Sequence, residues 1–266
     1  MISKSKKEYF LENGFCILEN VISRSRLNKI CNALEELIIV EGEHAGSEGA
    51  DHSNSVRRLC NLFTKGKVFE DIGIEPISLE FARLVIGNDI RLQAMNFHDP
   101  VPGEKEAHQS LHADRSFFPN SKAYINVCWV LDEMTYENGA TRIVPGSQNG
   151  QWPKDTLNDD ESFGTLNNEI YAECPAGSLI FIHGDTWHGG RANFSNSTRR
   201  VIHVGYACPN TRPQQDISST ITKAAKIRLG EKCSLLPYSL KSFGLDNNWL
   251  SKSTIEKVIQ NSVLKN

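Results

Sequence analysis

The chain predicts an α+β fold: a mainly β, jelly-roll core with helices flanking it. Two observations carry that expectation. Between residues 90 and 208, short strand-like runs alternate with Gly/Pro turn signals, the texture of a sandwich or barrel of short strands. Before residue 90 the apolar positions instead recur at helical spacing, and after 209 the chain is polar with helix-like stretches. No linker clearly separates domains within the 266 residues. One domain over 1–266 is therefore expected, with a mainly helical part (1–89), the β core (90–208) and a C-terminal helical extension (209–266).

In chain order, Glu8 to Asn13 reads as a short helix closed by Gly14, and Phe15-Cys16-Ile17-Leu18 as a buried strand. Ser23 is placed to N-cap a helix whose apolar positions are Leu27, Ile30, Cys31, Leu34, Leu37 and Ile38. Residues 41–57 are polar and Gly-rich, so they read as a mobile loop. Another helix is expected from Pro76 to Ile86, ending at Gly87. Strands follow at 90–97, 123–131, 141–145, 170–173, 178–183 and 200–207. Helices are expected again near 217–228 and 251–264.

Composition narrows the function. A 39% apolar and 23% charged chain with net charge −3 carries no basic field for a nucleic-acid backbone. No apolar run reaches the length of a membrane span, and the lysines near the start lack an apolar stretch behind them. Neither nucleic acid nor membrane is an expected partner. The seven cysteines are scattered without a CxxC pair, which argues against a disulfide framework and for a reducing, cytoplasmic setting. Cys128 and Cys208 read as core. Lys65, Lys67, Arg57 and Arg58 read as solvated surface charges.

His112-Ala113-Asp114 carries the chemistry. In an extended strand, residues i and i+2 point to one face, so an imidazole and a carboxylate converge there. A second histidine, His188, follows in Gly184-Asp185-Thr186-Trp187-His188-Gly189-Gly190. Two imidazoles and one carboxylate suit the facial triad of non-haem Fe(II) oxygenases, and equally zinc with a water. Arg199-Arg200 opens an alternating run, so one of the two guanidiniums faces inward, where only an anion would make its burial favourable. Among the remaining histidines, His183 reads as a packing residue, His108 as a loop residue, and His203 as a candidate substrate contact on the face of Arg199.

These motifs occur in a known order. His112-x-Asp114 is followed by Glu137-Asn138-Gly139-Ala140-Thr141-Arg142-Ile143-Val144-Pro145-Gly146-Ser147, then Trp187-His188-Gly189-Gly190-Arg191-Ala192-Asn193, then Arg199-Arg200. With Asn13-Gly14-Phe15 and Val56-Arg57-Arg58-Leu59, the pattern resembles the phytanoyl-CoA dioxygenase family of Fe(II)/2-oxoglutarate oxygenases over residues 8–208. The resemblance implies a double-stranded β-helix of the cupin-like jelly-roll type. It implies His112, Asp114 and His188 as iron ligands and Arg199 as the partner of the distal 2-oxoglutarate carboxylate. Trp129, Asn96 and Thr141 match or neighbour positions that line the cosubstrate pocket. Two departures stand out: Gln148 follows Pro-Gly-Ser where His is usual, and Gly190 stands where some relatives have a cosubstrate-binding serine.

The implied reaction consumes 2-oxoglutarate and O2, releases succinate and CO2, and oxidises a small-molecule metabolite. Halogenating relatives have a small residue in place of the carboxylate, so Asp114 points to hydroxylation. Desaturation, cyclisation or epoxidation at the same iron remain alternatives, as do a jelly-roll binding module without turnover and a zinc-type hydrolase. The oligomeric state is not legible in the sequence.

Overall fold

The computed structural model describes residues 2–48, 54–104, 107–118, 121–150 and 168–243. The helix expected near 251–264 lies outside them. Helix α1 (Lys4–Asn13) is capped by Ser3, which accepts from the Lys6 N–H, and stops at Gly14, whose φ of 75° reverses the chain into strand β1 (Phe15–Leu18). Helix α2 (Arg24–Glu41) starts at Ser23, which accepts from the Arg26 N–H, and buries Leu27, Ile30, Leu34 and Leu37 as its spacing predicts. Strand β2 (Val56–Leu59) lies at the end of a stretch read as loop, and α3 (Lys67–Gly73) precedes α4 (Pro76–Ile86), which begins on its proline.

The β core comprises β3 (Arg91–Pro100), β4 (Tyr124–Val130), β5 (Thr141–Ile143), β6 (Ile170–Tyr171), β7 (Leu179–His183), β8 (His188–Gly190) and β9 (Val201–Ala207). Two short helices follow, α5 (Ile217–Thr220) and α6 (Lys223–Leu229). The single helix expected at 217–228 is broken between them, where Thr222 caps α6 by accepting from the Ala225 N–H. No helix among the described residues is long and apolar enough to cross a membrane.

A six-stranded antiparallel sheet runs β1-β7-β4-β9-β3-β2, and a three-stranded sheet runs β6-β5-β8. Alternation divides the large sheet's faces. Ile125, Val127 and Trp129 join Phe181, Ile202, Val204 and Tyr206 against Phe10, Leu34, Phe69 and Phe81 of the helical layer. Cys128, Val130, Ile180, Ile182 and Val201 face the other way and pack with Ile143 and Ala172 of the small sheet. Each large side chain buried in these layers contributes roughly 1.5–3 kcal/mol. Towards one end of the gap between the sheets, apolar side chains give way to polar ones, and a cavity of about 170 Å³ opens.

Two charge expectations are corrected. Lys65 is not solvated: it is buried between Glu41 (2.6 Å) and Glu48, tying the end of α2 to the segment after it. Arg57 and Arg58 point in opposite directions. Arg57 pairs with Asp99 and Glu35, while Arg58 lines the cavity with its Nη1 3.2 Å from His98 Nε2. Only Lys67 is exposed, in a pair with Asp71.

Candidate metal and cosubstrate site

His112 and Asp114 converge, though not within a regular strand. Between them Ala113 is extended (φ −109°, ψ 123°), and Asp114 already opens a 3-10 turn, Asp114–Phe117. His112 is instead tied to β8. Its N–H donates to the His188 carbonyl and the His188 N–H donates to its own, both at 2.9 Å. A Cβ on Gly189 would meet the Gln109 and Ser110 carbonyls at 3.0 Å, so this close approach favours glycine.

Both ring tautomers follow from the backbone. His112 Nδ1 lies 3.0 Å from the Ser110 carbonyl and His188 Nδ1 lies 2.9 Å from the Thr186 carbonyl. A carbonyl only accepts, so each Nδ1 carries the proton and each Nε2 presents its lone pair. Those Nε2 atoms face Asp114, at 3.6 Å from Oδ1 and Oδ2 respectively. One donor atom from each of the three residues lies within 4.8 Å of the others, close enough to share a single ion. Asn126 on β4 donates to Asp114 Oδ2 at 2.9 Å. Burial alone would push the Asp114 carboxyl up, but His188, His112 and the Asn126 amide together hold it well below the usual range. Burial also lowers His188, which keeps it neutral and able to ligate.

Arg199 enters the same cavity. It is 4% exposed, its N–H donates to Asp99 Oδ1 at 3.2 Å, and its Nε has no hydrogen-bond partner among the described residues. Burial pulls the guanidinium down to about 10, so it remains charged at neutral pH. A buried cation with an unused donor, facing a cavity, is a seat for an anion. Its neighbour Arg200 faces outward and pairs with both oxygens of Asp132 (2.8 and 2.9 Å). Gly190, opposite Thr141 in the small sheet, lets the Gln109 side chain and Arg199 approach: a Cβ there would lie 3.1 Å from Gln109 Oε1 and 3.6 Å from Arg199 Nη2.

Of the cosubstrate positions expected from sequence, Asn96 and Thr141 line the cavity and Trp129 does not. Trp129 is fully buried on the helix-facing side of β4, beneath the Arg26 guanidinium. The cavity-facing residues of that strand are Tyr124, Asn126 and Cys128, so Cys128, buried in the core as expected, also forms part of the cavity wall. His203 lies in the cavity, with Cys128 Sγ 3.4 Å from its Nδ1 and the His98 ring 4.8 Å away. Burial pulls His203 down to about 3 and His98 well below its usual value. His108 instead contacts the buried Arg142, which pairs with Glu169. His183 is partly buried near Phe10 and Asp185.

Sequence reading missed Asn126, His98 and Gln109. The first was accessible from strand alternation, since it shares a face with Cys128 and not with Trp129. Gln109 sits in an irregular segment, where its Oε1 accepts from the Gly190 N–H at 2.8 Å, and no periodicity marks it.

Comparison with known proteins identifies the family and the fold. The family model for phytanoyl-CoA dioxygenase (PhyH) matches residues 10–201. Dioxygenase af480 of Aspergillus fumigatus is 28% identical over 220 residues, spanning 80% of this chain and 69% of its own length. The Fe(II)/2-oxoglutarate-dependent dioxygenase nvfF of Aspergillus novofumigatus is 27% identical over 271 residues, 91% of this chain and 87% of its own. The non-heme alpha-ketoglutarate-dependent carbocyclase SnoK from nogalamycin biosynthesis superposes with a TM-score of 0.65 at 20% identity, covering 89% of this chain and 92% of that one, which establishes a shared fold. With the family model spanning most of its length, the chain belongs to the phytanoyl-CoA dioxygenase (PhyH) family of Fe(II)/2-oxoglutarate-dependent oxygenases.

Proposed function

We propose that this protein hydroxylates an unactivated C–H bond of a small-molecule metabolite, with Fe(II) held by His112, Asp114 and His188 and 2-oxoglutarate seated by Arg199. One observation carries the reading: a His2Asp donor set and a buried guanidinium with an unused Nε face the same cavity. The donor set alone suits zinc as well as iron. The buried cation adds a requirement for an anion, and a dicarboxylate with one end at the metal and the other at Arg199 meets it.

Ferrous iron held by His112, Asp114 and His188, together with 2-oxoglutarate, would supply the O2 activation and the oxidising power for the reaction. The chain's own residues do the rest. The Ser110 and Thr186 carbonyls hold the His112 and His188 rings with Nε2 turned inward. The Asn126 amide orients the Asp114 carboxylate by donating to its Oδ2. Arg199 aligns the cosubstrate, and the two sheets exclude water around it. Asp114 occupies the place that halogenating relatives leave to a halide, which favours oxygen insertion.

The test is anaerobic addition of Fe(II) and 2-oxoglutarate, followed by a succinate-release screen over metabolite pools with mass spectrometry of the product. A weak visible charge-transfer band and a product heavier by one oxygen atom are expected. A product lighter by two hydrogens would assign ring closure or desaturation. Absence of the band in metal-loaded protein would overturn the oxygenase reading in favour of a binding module.

A further inference from the structure

Asn96 lines the cavity, but its orientation is set from outside it. Gln215 lies after β9, beyond the residues that the family model matches, and is 3% exposed. Its Oε1 accepts from two backbone donors, the Asn61 N–H at 3.1 Å and the Met95 N–H at 3.5 Å. The topology explains why it is needed. The last pairing of β2 with β3 is Leu59 opposite Phe97, after which Asn61 turns the chain away with a φ of 55°. Past that point the Gln215 amide continues the edge of β3.

Because N–H groups only donate, the oxygen end of Gln215 is committed, and its Nε2 must point the other way. There it donates to Asn96 Oδ1. The Asn96 oxygen is thereby committed as well, which leaves its NH2 as the group it offers to the cavity. Among the described residues no hydrogen bond engages that Nδ2. Asn61 is anchored in turn, with its Nδ2 donating to Glu48 Oε1 (3.2 Å) and Thr220 Oγ1 (3.1 Å).

We propose that Gln215 is a positioning residue for the cosubstrate: it locks the Asn96 amide with its NH2 turned inward, as a donor to an oxygen of 2-oxoglutarate. The proposal rests on the oxygenase reading above and adds to it a residue that lies outside the family's matched region.

The experiment measures 2-oxoglutarate affinity of the Fe(II)-loaded protein without O2, by the visible band and by calorimetry. Asn96→Ala and Gln215→Leu should each weaken binding by roughly tenfold or more, the loss of a hydrogen bond to a charged group. The double variant should be no worse than either single one, because the second residue acts through the first. Fe(II) affinity should stay at the wild-type value in all three. Asn96→Asp keeps the acceptor for Gln215 and removes the donor, so it should remain folded yet bind 2-oxoglutarate as poorly, which keeps the test sound if Gln215→Leu fails to fold. Wild-type affinity in Gln215→Leu or Asn96→Asp, losses that multiply in the double variant, or a parallel fall in Fe(II) affinity would overturn the proposal. A wild-type protein that takes up Fe(II) but not 2-oxoglutarate would instead overturn the oxygenase reading.

Discussion

Arg199 and Arg200 are adjacent in sequence and opposite in environment, and their substitution should separate two roles. With Arg199 seating the cosubstrate as proposed, Arg199→Ala would remove a charge-assisted contact worth roughly 1.5–3 kcal/mol, so 2-oxoglutarate affinity should fall about 10- to 100-fold in an anaerobic titration. Arg200→Ala should leave that affinity intact and cost about 1 kcal/mol of stability through the lost Asp132 pair. Burial raises the Asp132 carboxyl, but the Arg200 hydrogen bonds outweigh it and the net shift is downward. The pair's contribution is therefore full above the ordinary aspartate value of about 3.9 and is lost as pH falls below it, which urea unfolding of wild type against Asp132→Asn would show. His203 works in the opposite sense. Burial keeps it neutral down to about 3, so the unfolded chain takes up a proton that the folded one refuses once pH drops below about 6.5. Stability of the metal-free protein should fall on acidification by up to about 1.4 kcal/mol per pH unit for this group, and His203→Asn should flatten that slope.

Among elements, β4 shows what sequence could and could not reveal. Its seven buried residues announce a central strand, yet apolar side chains on both faces, with Asn126 as the one polar mark among them, leave the facing easy to misassign. Trp129, expected at the cosubstrate, is turned to the helices, whereas its neighbour Cys128, buried in the core as expected, also borders the cavity; one residue of register separates the two positions. The His112-x-Asp114 pair was legible because the extended Ala113 between them and the bridge from His112 to His188 stand in for a regular strand. The Lys65 cluster was not legible, since nothing local marks a lysine that will be enclosed by glutamates from distant turns. Lys65→Met should cost about 3–5 kcal/mol in denaturant unfolding, because Glu41 and Glu48 would be left facing one another without a cation. Ser23→Ala, which removes the α2 cap, should cost about 1 kcal/mol.

At the scale of the molecule, the jelly roll was readable from the rhythm of short strands and turns, and the site from the order of its motifs. The sheet edges were harder. Strand β8 is only three residues long, and β2 emerges from a polar stretch, so neither has a hydrophobic pattern of its own. Because metal and cosubstrate bind only the folded chain, Mn(II) with 2-oxoglutarate should raise the melting temperature in a concentration-dependent way, and Arg199→Ala should remove the cosubstrate's share. The reciprocal bonds between His112 and His188 carry one more consequence. Main chain, rather than side-chain adjustment, sets the spacing of the two imidazoles, so the pocket is prefabricated and cannot reshape itself to reject a rival cation. Cobalt, nickel and zinc, which bind nitrogen donors more tightly than ferrous iron, should displace it and poison the protein, making mismetallation its chief vulnerability during preparation.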